Sequence, residues 1–235
     1  MKQVILIGTS HIAKQSIDNV RKAIIEEKPD VVAVELDHSR LEGLMSEEKP
    51  KFSLYSIKIV GLKGFMFALI GSWLSKKMGR LVGVDPGEDM LSAVNTAREN
   101  HIKVALIDQH INVTLARFSR FFSWKEKWHL IADVFKGVFM PKSQMKKMGL
   151  TDIDLTKVPS EDLIEKILEN TKDRYPNLYR VLVHERNVFM VKKIINLIAQ
   201  ENVSKIIVVI GAGHRKGIIR LFEDQPAANF SIKTM

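Results

Sequence analysis

The sequence predicts an α/β fold, a central and mainly parallel β-sheet flanked by helices, with a helical insertion before the last strand. Three observations predict it. Short β-branched runs are apolar almost throughout, as strands covered on both faces must be. These runs alternate with longer stretches of helical spacing. Each run is followed closely by a titratable residue, as in open sheets whose ligands bind beyond the strand carboxyl ends.

The strand runs are Val4–Ile7, Val31–Leu36, Leu81–Val84, Val104–Ile107 and Ile206–Ile210. Helical spacing covers Ala13–Glu27, Ser39–Glu47, Ser56–Met78, Glu88–Asn100 and Val113–Phe122. It resumes over Lys125–Phe139, Ser160–Thr171 and a long stretch, Asn177–Gln200. "KPD" at Lys28–Asp30 signals a turn, and "VPSED" at Val158–Asp162 offers Ser160 as a helix N-cap. Pro141–Pro159 reads as a mobile polar connection. The whole chain, 1–235, reads as one domain, with the insertion over approximately 113–200.

Composition excludes several classes. With no cysteine there is no disulfide scaffold, thiolate metal site or cysteine nucleophile. Val4–Ile7 is too short for a signal-peptide core. The longest uncharged apolar stretch, Gly64–Ser75, falls short of the roughly 18–20 residues that span a bilayer. Ser56–Met78 is therefore expected as a helix over or beside the cleft, serving as a lid, a binding wall or a self-association face. The net charge is +9, and Val113–Met148 carries two-thirds of it, eight Lys or Arg against Glu126 and Asp133. Aromatics mixed into this stretch could meet nucleic acid or an anionic membrane surface. Trp124, Trp128, Ile131, Phe135 and Val138 recur at helical spacing, which favours a core or partner-facing role.

The titratable groups after the strands are His11, Glu35 with Asp37, Asp85, Asp108 and His214. "ILIGTSHIAKQSI" and "VVIGAGHRKGII" superpose glycine on glycine (Gly8, Gly211) and histidine on histidine (His11, His214) with an offset of 203. Each glycine is expected to let the chain turn off its strand. Each imidazole then stands near a helix start, as a cap or as a neutral metal ligand. Alternation in "VVAVELD" places Glu35 on the face of Val31 and Ala33, where a buried carboxylate needs a cation, a metal or a strong donor. Asp37 lies further out and could simply cap a helix.

In the long helix Leu178, Val181, Leu182, Val188 and Phe189 form an apolar stripe that includes Glu185, with Arg186 beside it. Two readings stand, a buried Glu–Arg clamp or a pair presented to a site. Histidines, acids and an arginine together suit metal-assisted hydrolysis. No serine sits in a strand–turn–helix GxSxG elbow, so a serine nucleophile lacks support.

Six segments carry a family resemblance: "GTSH" (Gly8–His11), "VVAVELD" (Val31–Asp37), "GVDPGEDM" (Gly83–Met90), "LIDQHINVTLAR" (Leu106–Arg117), "ERNVFM" (Glu185–Met190) and "GAGH" (Gly211–His214). Together they resemble the TraB/PrgY family, whose relatives include the pheromone-shutdown proteins and the TIKI metalloproteases. The resemblance implies an α/β core shared with erythromycin-esterase-like and ChaN-like proteins. It also implies a metal-dependent peptidase, with manganese or cobalt favoured and zinc as a further candidate. Carried over by position, His11, Glu35 and His214 would hold the metal, and Glu185 and Arg186 would be catalytic. Asp108, Asp85 and Asp37 are further candidates. The chain departs from the family at Gln109, where members often carry arginine.

The expected partner is a peptide substrate or ligand, with nucleic acid the weaker reading and a homodimer open. Many microbial members continue into C-terminal membrane helices. Membrane association is therefore expected peripherally or through a region beyond Met235, and location in the cytoplasm or on the cytoplasmic membrane face. The competing class is a non-catalytic protein that sequesters a peptide or small ligand in the same cleft.

Overall fold

The computed structural model describes residues 2–9, 14–46, 87–139, 161–224 and 230–235. In chain order the described elements are β1 (Lys2–Thr9), α1 (Lys14–Glu27), β2 (Val31–Val34), α2 (His38–Met45), α3 (Glu88–Glu99) and β3 (Lys103–Leu106). There follow α4 (Ile111–Phe121), α5 (Trp124–Phe139), α6 (Glu161–Arg174), α7 (Pro176–Tyr179), a π-helical turn (Arg180–His184) and α8 (Glu185–Ile198). The chain closes with β4 (Lys205–Gly211), α9 (Ala212–Glu223) and β5 (Phe230–Thr234). Leu81–Val84, Ser56–Met78 and Pro141–Pro159, with His11 and Asp85, lie outside the described residues.

The α/β class is as expected. Every described strand pair is parallel, in the order β3-β2-β4-β1-β5. One expectation is corrected: the insertion precedes β4, but β4 is not the last strand. β5 follows it and pairs with β1, Val4 opposite Ile232. β4 lies between β2 and β1, so a strand late in sequence forms the middle of the sheet.

Alternation sorts the strand residues onto two covered faces. Ile5, Ile7, Val32, Val34, Ile207 and Val209 pack with residues of α1 and α3, including Ile24 and Met90. Val4, Leu6, Val31, Ala33, Val208 and Ile210 pack against Met190, Val191 and Ile194 of α8 and Ile218 and Phe222 of α9. The sheet is thus the middle of three layers. A smaller cluster, Phe118, Phe122 and Val181, holds α4 against the π turn.

Local signals fix the element ends. Asp37 is the N-cap of α2 and accepts from the amides of Ser39 and Arg40. Gly87 starts α3 at φ 89°, a left-handed value where a side chain would be strained and would press on Leu44. Ser123 and Glu126 form a reciprocal capping box at α5: the Glu126 amide donates to Ser123 Oγ (3.2 Å) and the Ser123 amide to Glu126 Oε2 (3.0 Å). Glu126 also accepts from the Asn177 amide at 2.7 Å, so one buried carboxylate caps α5 and α7 together. Among the described residues no helix is long and apolar enough to cross a membrane.

In the aromatic stretch Phe118 and Phe122 are buried, whereas Trp124 and Trp128 are 74% and 66% exposed, and in the first turn of α5 it is Glu126 that is buried. Lys127 sits 4.0 Å from the Trp124 ring centroid.

Candidate active site at the carboxyl edge of the sheet

β2 ends at Val34, and Glu35 continues the face that meets α8 and α9. Its own amide still donates to Val209 O (3.0 Å), which ties it to β4. The side chain is 4% exposed. Its Oε2 accepts from the Gly211 amide at 2.6 Å, and its Oε1 accepts from Arg186 Nη2. The sequence requires a partner for this carboxylate, and the partner is a guanidinium.

Arg186 extends from the first turn of α8 into the space between three acceptors. It grips Asp108 in a bidentate pair, Nε to Oδ1 at 3.0 Å and Nη2 to Oδ2 at 2.6 Å. Its Nη1 donates to Leu182 O and lies 3.1 Å from His214 Nε2. Burial works against the charge on Arg186, but the neighbouring carboxylates, Glu35 foremost, more than offset it and hold its pKa above the ordinary value. Arg40 from α2 closes the other side, bonding both Asp108 and Asp37. Three carboxylates, Glu35, Asp37 and Asp108, thus share two guanidiniums, Arg40 and Arg186.

His214 stands in the first turn of α9 and is 7% exposed. Its Nδ1 is 2.6 Å from Asn187 Oδ1. An amide oxygen can only accept, so Nδ1 carries the proton and Nε2 keeps its lone pair. That lone pair accepts from Arg186 Nη1 and lies 3.3 Å from Glu35 Oε1. His214, Glu35, Arg186 and Asp108 thus meet at the strand ends.

Glu185 does not join them. It accepts from Arg117 at 2.5 and 2.7 Å and from Arg180 at 3.0 Å, joining α4 to the π turn and α8. The Arg117 hydrogen bonds hold its carboxyl below the usual carboxylate range. Asp37 caps α2 and also accepts from the Ile111 amide (3.2 Å).

The superposed glycines have a different physical role from the expected turn. Gly211 is extended at φ −61°, and the sheet sets Thr9, not Gly8, opposite it. Gly8 instead gives room to Arg215, whose Cδ would lie 3.3 Å from an added Cβ. A cavity of about 420 Å³ opens beside the cluster, lined in part by Gly8, Asn187, Ala212, Gly213, Arg215 and Lys172.

The apolar stripe of the long helix is also shifted. The buried residues are Val181, then Asn187, Met190, Val191, Ile194 and Ile198, whereas Val188 and Phe189 are only half-buried. A π turn has a longer repeat than α-helix, and the turn at Arg180–His184 rotates all that follows. Arg117 and Asn187 lie within the "LIDQHINVTLAR" and "ERNVFM" segments but carry no role from sequence alone, because their partners Glu185 and His214 come from other elements. Arg40 and Arg180 had no sequence signal of their own. Asn187 also occupies an apolar position of the rephased stripe.

The TraB/PrgY/gumN family model matches residues 1–233. An uncharacterized protein of Methanocaldococcus jannaschii is 33% identical over 222 residues, 92% of this chain and 52% of that protein. TraB domain-containing proteins of Bos taurus and Homo sapiens are each 27% identical over 199 residues, covering 80% of this chain and 50% of theirs. The chain thus spans about half the length of these curated relatives.

Proposed function

The chain belongs to the TraB/PrgY/gumN family, and from that premise we propose that it is a metal-dependent hydrolase acting on peptides. The observation that carries the reading is the meeting of Glu35, Asp108, Arg186 and His214 at the carboxyl edge of a parallel sheet, beside a cavity.

The donor set gives partial support for a metal. His214 Nε2 and Glu35 Oε1 lie 3.3 Å apart and would be two of the donors that hold an ion. The Nδ1–H of His214 is engaged by Asn187 Oδ1, the usual orientation of a ligating imidazole. Among the described residues no three His, Asp or Glu side chains form a group that could hold an ion. The proposal therefore adds His11, two residues beyond the end of β1, as the further donor. Manganese or cobalt is favoured, and zinc is the alternative. A bound divalent ion supplies Lewis acidity and a water whose pKa falls from about 15.7 towards 7.

The chain's own residues have separate tasks. Arg186, held from two sides by carboxylates, is a fixed cation suited to a developing oxyanion. Asp108 and Arg40 keep that guanidinium in place. Glu185, expected as the general base, is held at a lowered pKa by Arg117 and Arg180 and is a poor proton acceptor at neutral pH. Its geometry favours the clamp role.

A non-catalytic ligand-sequestering protein is the second reading. It is favoured by Arg186, which already supplies a cation to both Glu35 and His214. The two part on metal dependence. The hydrolase is expected to lose peptide-library cleavage on chelation and regain it with manganese, cobalt or zinc. Cleavage indifferent to chelation, or absent with every metal, would reject the mechanism; ligand binding that survives chelation would then establish the second reading.

A further inference from the structure

Two oddities of packing have one explanation. The buried face of α8 runs Asn187, Met190, Val191, Ile194 and Ile198, and only Asn187 is polar. A buried amide costs stability unless its hydrogen bonds are made, so a polar residue there needs a reason. α9 carries Gly217 in its interior, where glycine is less favourable than alanine. A Cβ at position 217 would press into Asn187 Nδ2, far inside contact distance. The glycine gives the amide its place, and the amide's oxygen meets His214 Nδ1 at 2.6 Å.

We propose that Asn187, seated against Gly217, is a positioning residue that fixes the ring orientation and tautomer of His214. The oxygen of Asn187 can only accept, so it confines the imidazole proton to Nδ1 and leaves the Nε2 lone pair facing Arg186 and Glu35. Without that oxygen, only the Arg186 Nη1 donor at 3.1 Å would oppose a proton on Nε2, and the freed ring could turn to donate it to Glu35 Oε1, 3.3 Å away. The ring would then present no lone pair at the strand edge. The π turn belongs to the same device, since it rotates α8 so that Arg186 reaches Glu35 at the strand end and Asn187 reaches His214 in α9. The consequence for catalysis rests on the hydrolase reading, but the tautomer does not.

The test uses the full chain labelled with ¹⁵N-histidine, with His214 assigned by difference from His214→Gln. Wild type is expected to show one species protonated at Nδ1. Asn187→Ala is expected to shift the proton to Nε2 in a substantial fraction, and Gly217→Ala to do the same by displacing the amide. Asn187→Asp keeps an acceptor and should retain Nδ1–H. In peptide cleavage Asn187→Ala should lower kcat by about 10- to 100-fold with little change in KM, and Asn187→Asp should recover part of it. A His214 that stays on Nδ1–H in Asn187→Ala, or in Gly217→Ala should the first variant not fold, overturns the proposal. If wild type cleaves no peptide, the hydrolase reading fails while the ring spectra still decide this one.

Discussion

At the scale of single residues, charge pairing dominates the candidate site. Glu35 and the Asp108 side chain are almost wholly buried, and Arg186 is the cation that both share. Taking charges out of water costs several kcal/mol each, and geometry recovers it only while all partners are present. Removing Arg186 leaves Glu35 with the Gly211 amide among its remaining donors and Asp108 with Arg40. Arg186→Met is therefore expected to lower folding stability by about 3–5 kcal/mol, measured by chemical denaturation. Arg186→Lys should be intermediate, because an ammonium cannot make the bidentate pair with Asp108. A methionine variant as stable as wild type would mean that the carboxylates find other partners or protonate. Much of this cluster is legible in the sequence. Period-2 alternation buries Glu35, and strand-end position flags Asp108 and His214. The sequence does not say which cation they share, because Arg186 arrives from an element roughly 150 residues away from Glu35 in the chain.

Elements explain why other parts were hidden. The stripe read as Leu178, Val181, Leu182, Val188 and Phe189 assumes one unbroken α-helical period, and the π turn breaks that assumption. No residue type in "RVLVH" signals a π turn, and Val181 within it packs against Phe118 and Phe122 of another element. β5 was missed because "FSIKT" is short and only half-buried, and its pairing with β1 defines it. In the first turn of α5 Glu126 faces inward and Trp124 and Trp128 face outward, which leaves the tryptophans the partner-facing half of the expectation. The S-x-x-E spacing at Ser123–Glu126 was readable as a capping box, and its second task at α7 was not. The Glu126 carboxylate accepts from the amides of Ser123, Asn177 and Leu178 and from the side chains of Ser123 and Asn177. Glu126→Ala is expected to cost about 3 kcal/mol, since it orphans several donors at two helix starts. Glu126→Gln should cost less, because the amide oxygen still accepts. Thermal or denaturant unfolding checks both, and an alanine variant within about 0.5 kcal/mol of wild type would show that water replaces the carboxylate.

Over the whole molecule, depressed carboxylates stitch the amino edge of the sheet and the insertion. At the amino edge Asp30 accepts from the amides of Ser204 and Lys205, tying the start of β2 to β4. Those backbone hydrogen bonds, Lys205 first, hold its pKa below the ordinary value. Glu27 at the end of α1 binds Lys233 of β5 and Lys205 of β4, and its Lys233 hydrogen bond leads the lowering. Across the fold, Glu185 is lowered by Arg117 and secures α4 against α8. A carboxyl with a lower pKa in the folded than in the unfolded chain binds fewer protons when folded. It contributes stability that is complete above the unfolded value and lost as the pH falls through the folded one. The chain is therefore expected to hold its stability from neutral pH down to about 5 and to lose it progressively in more acid solution. Denaturant midpoints measured from pH 7 to pH 3 would follow this. Asp30→Asn and Glu185→Gln should each start less stable at pH 7 and lose less on acidification, converging towards wild type at the acid end. If both variants fall as steeply as wild type, these carboxylates are not what acid undoes. Exchange protection would then locate the element that opens first in acid.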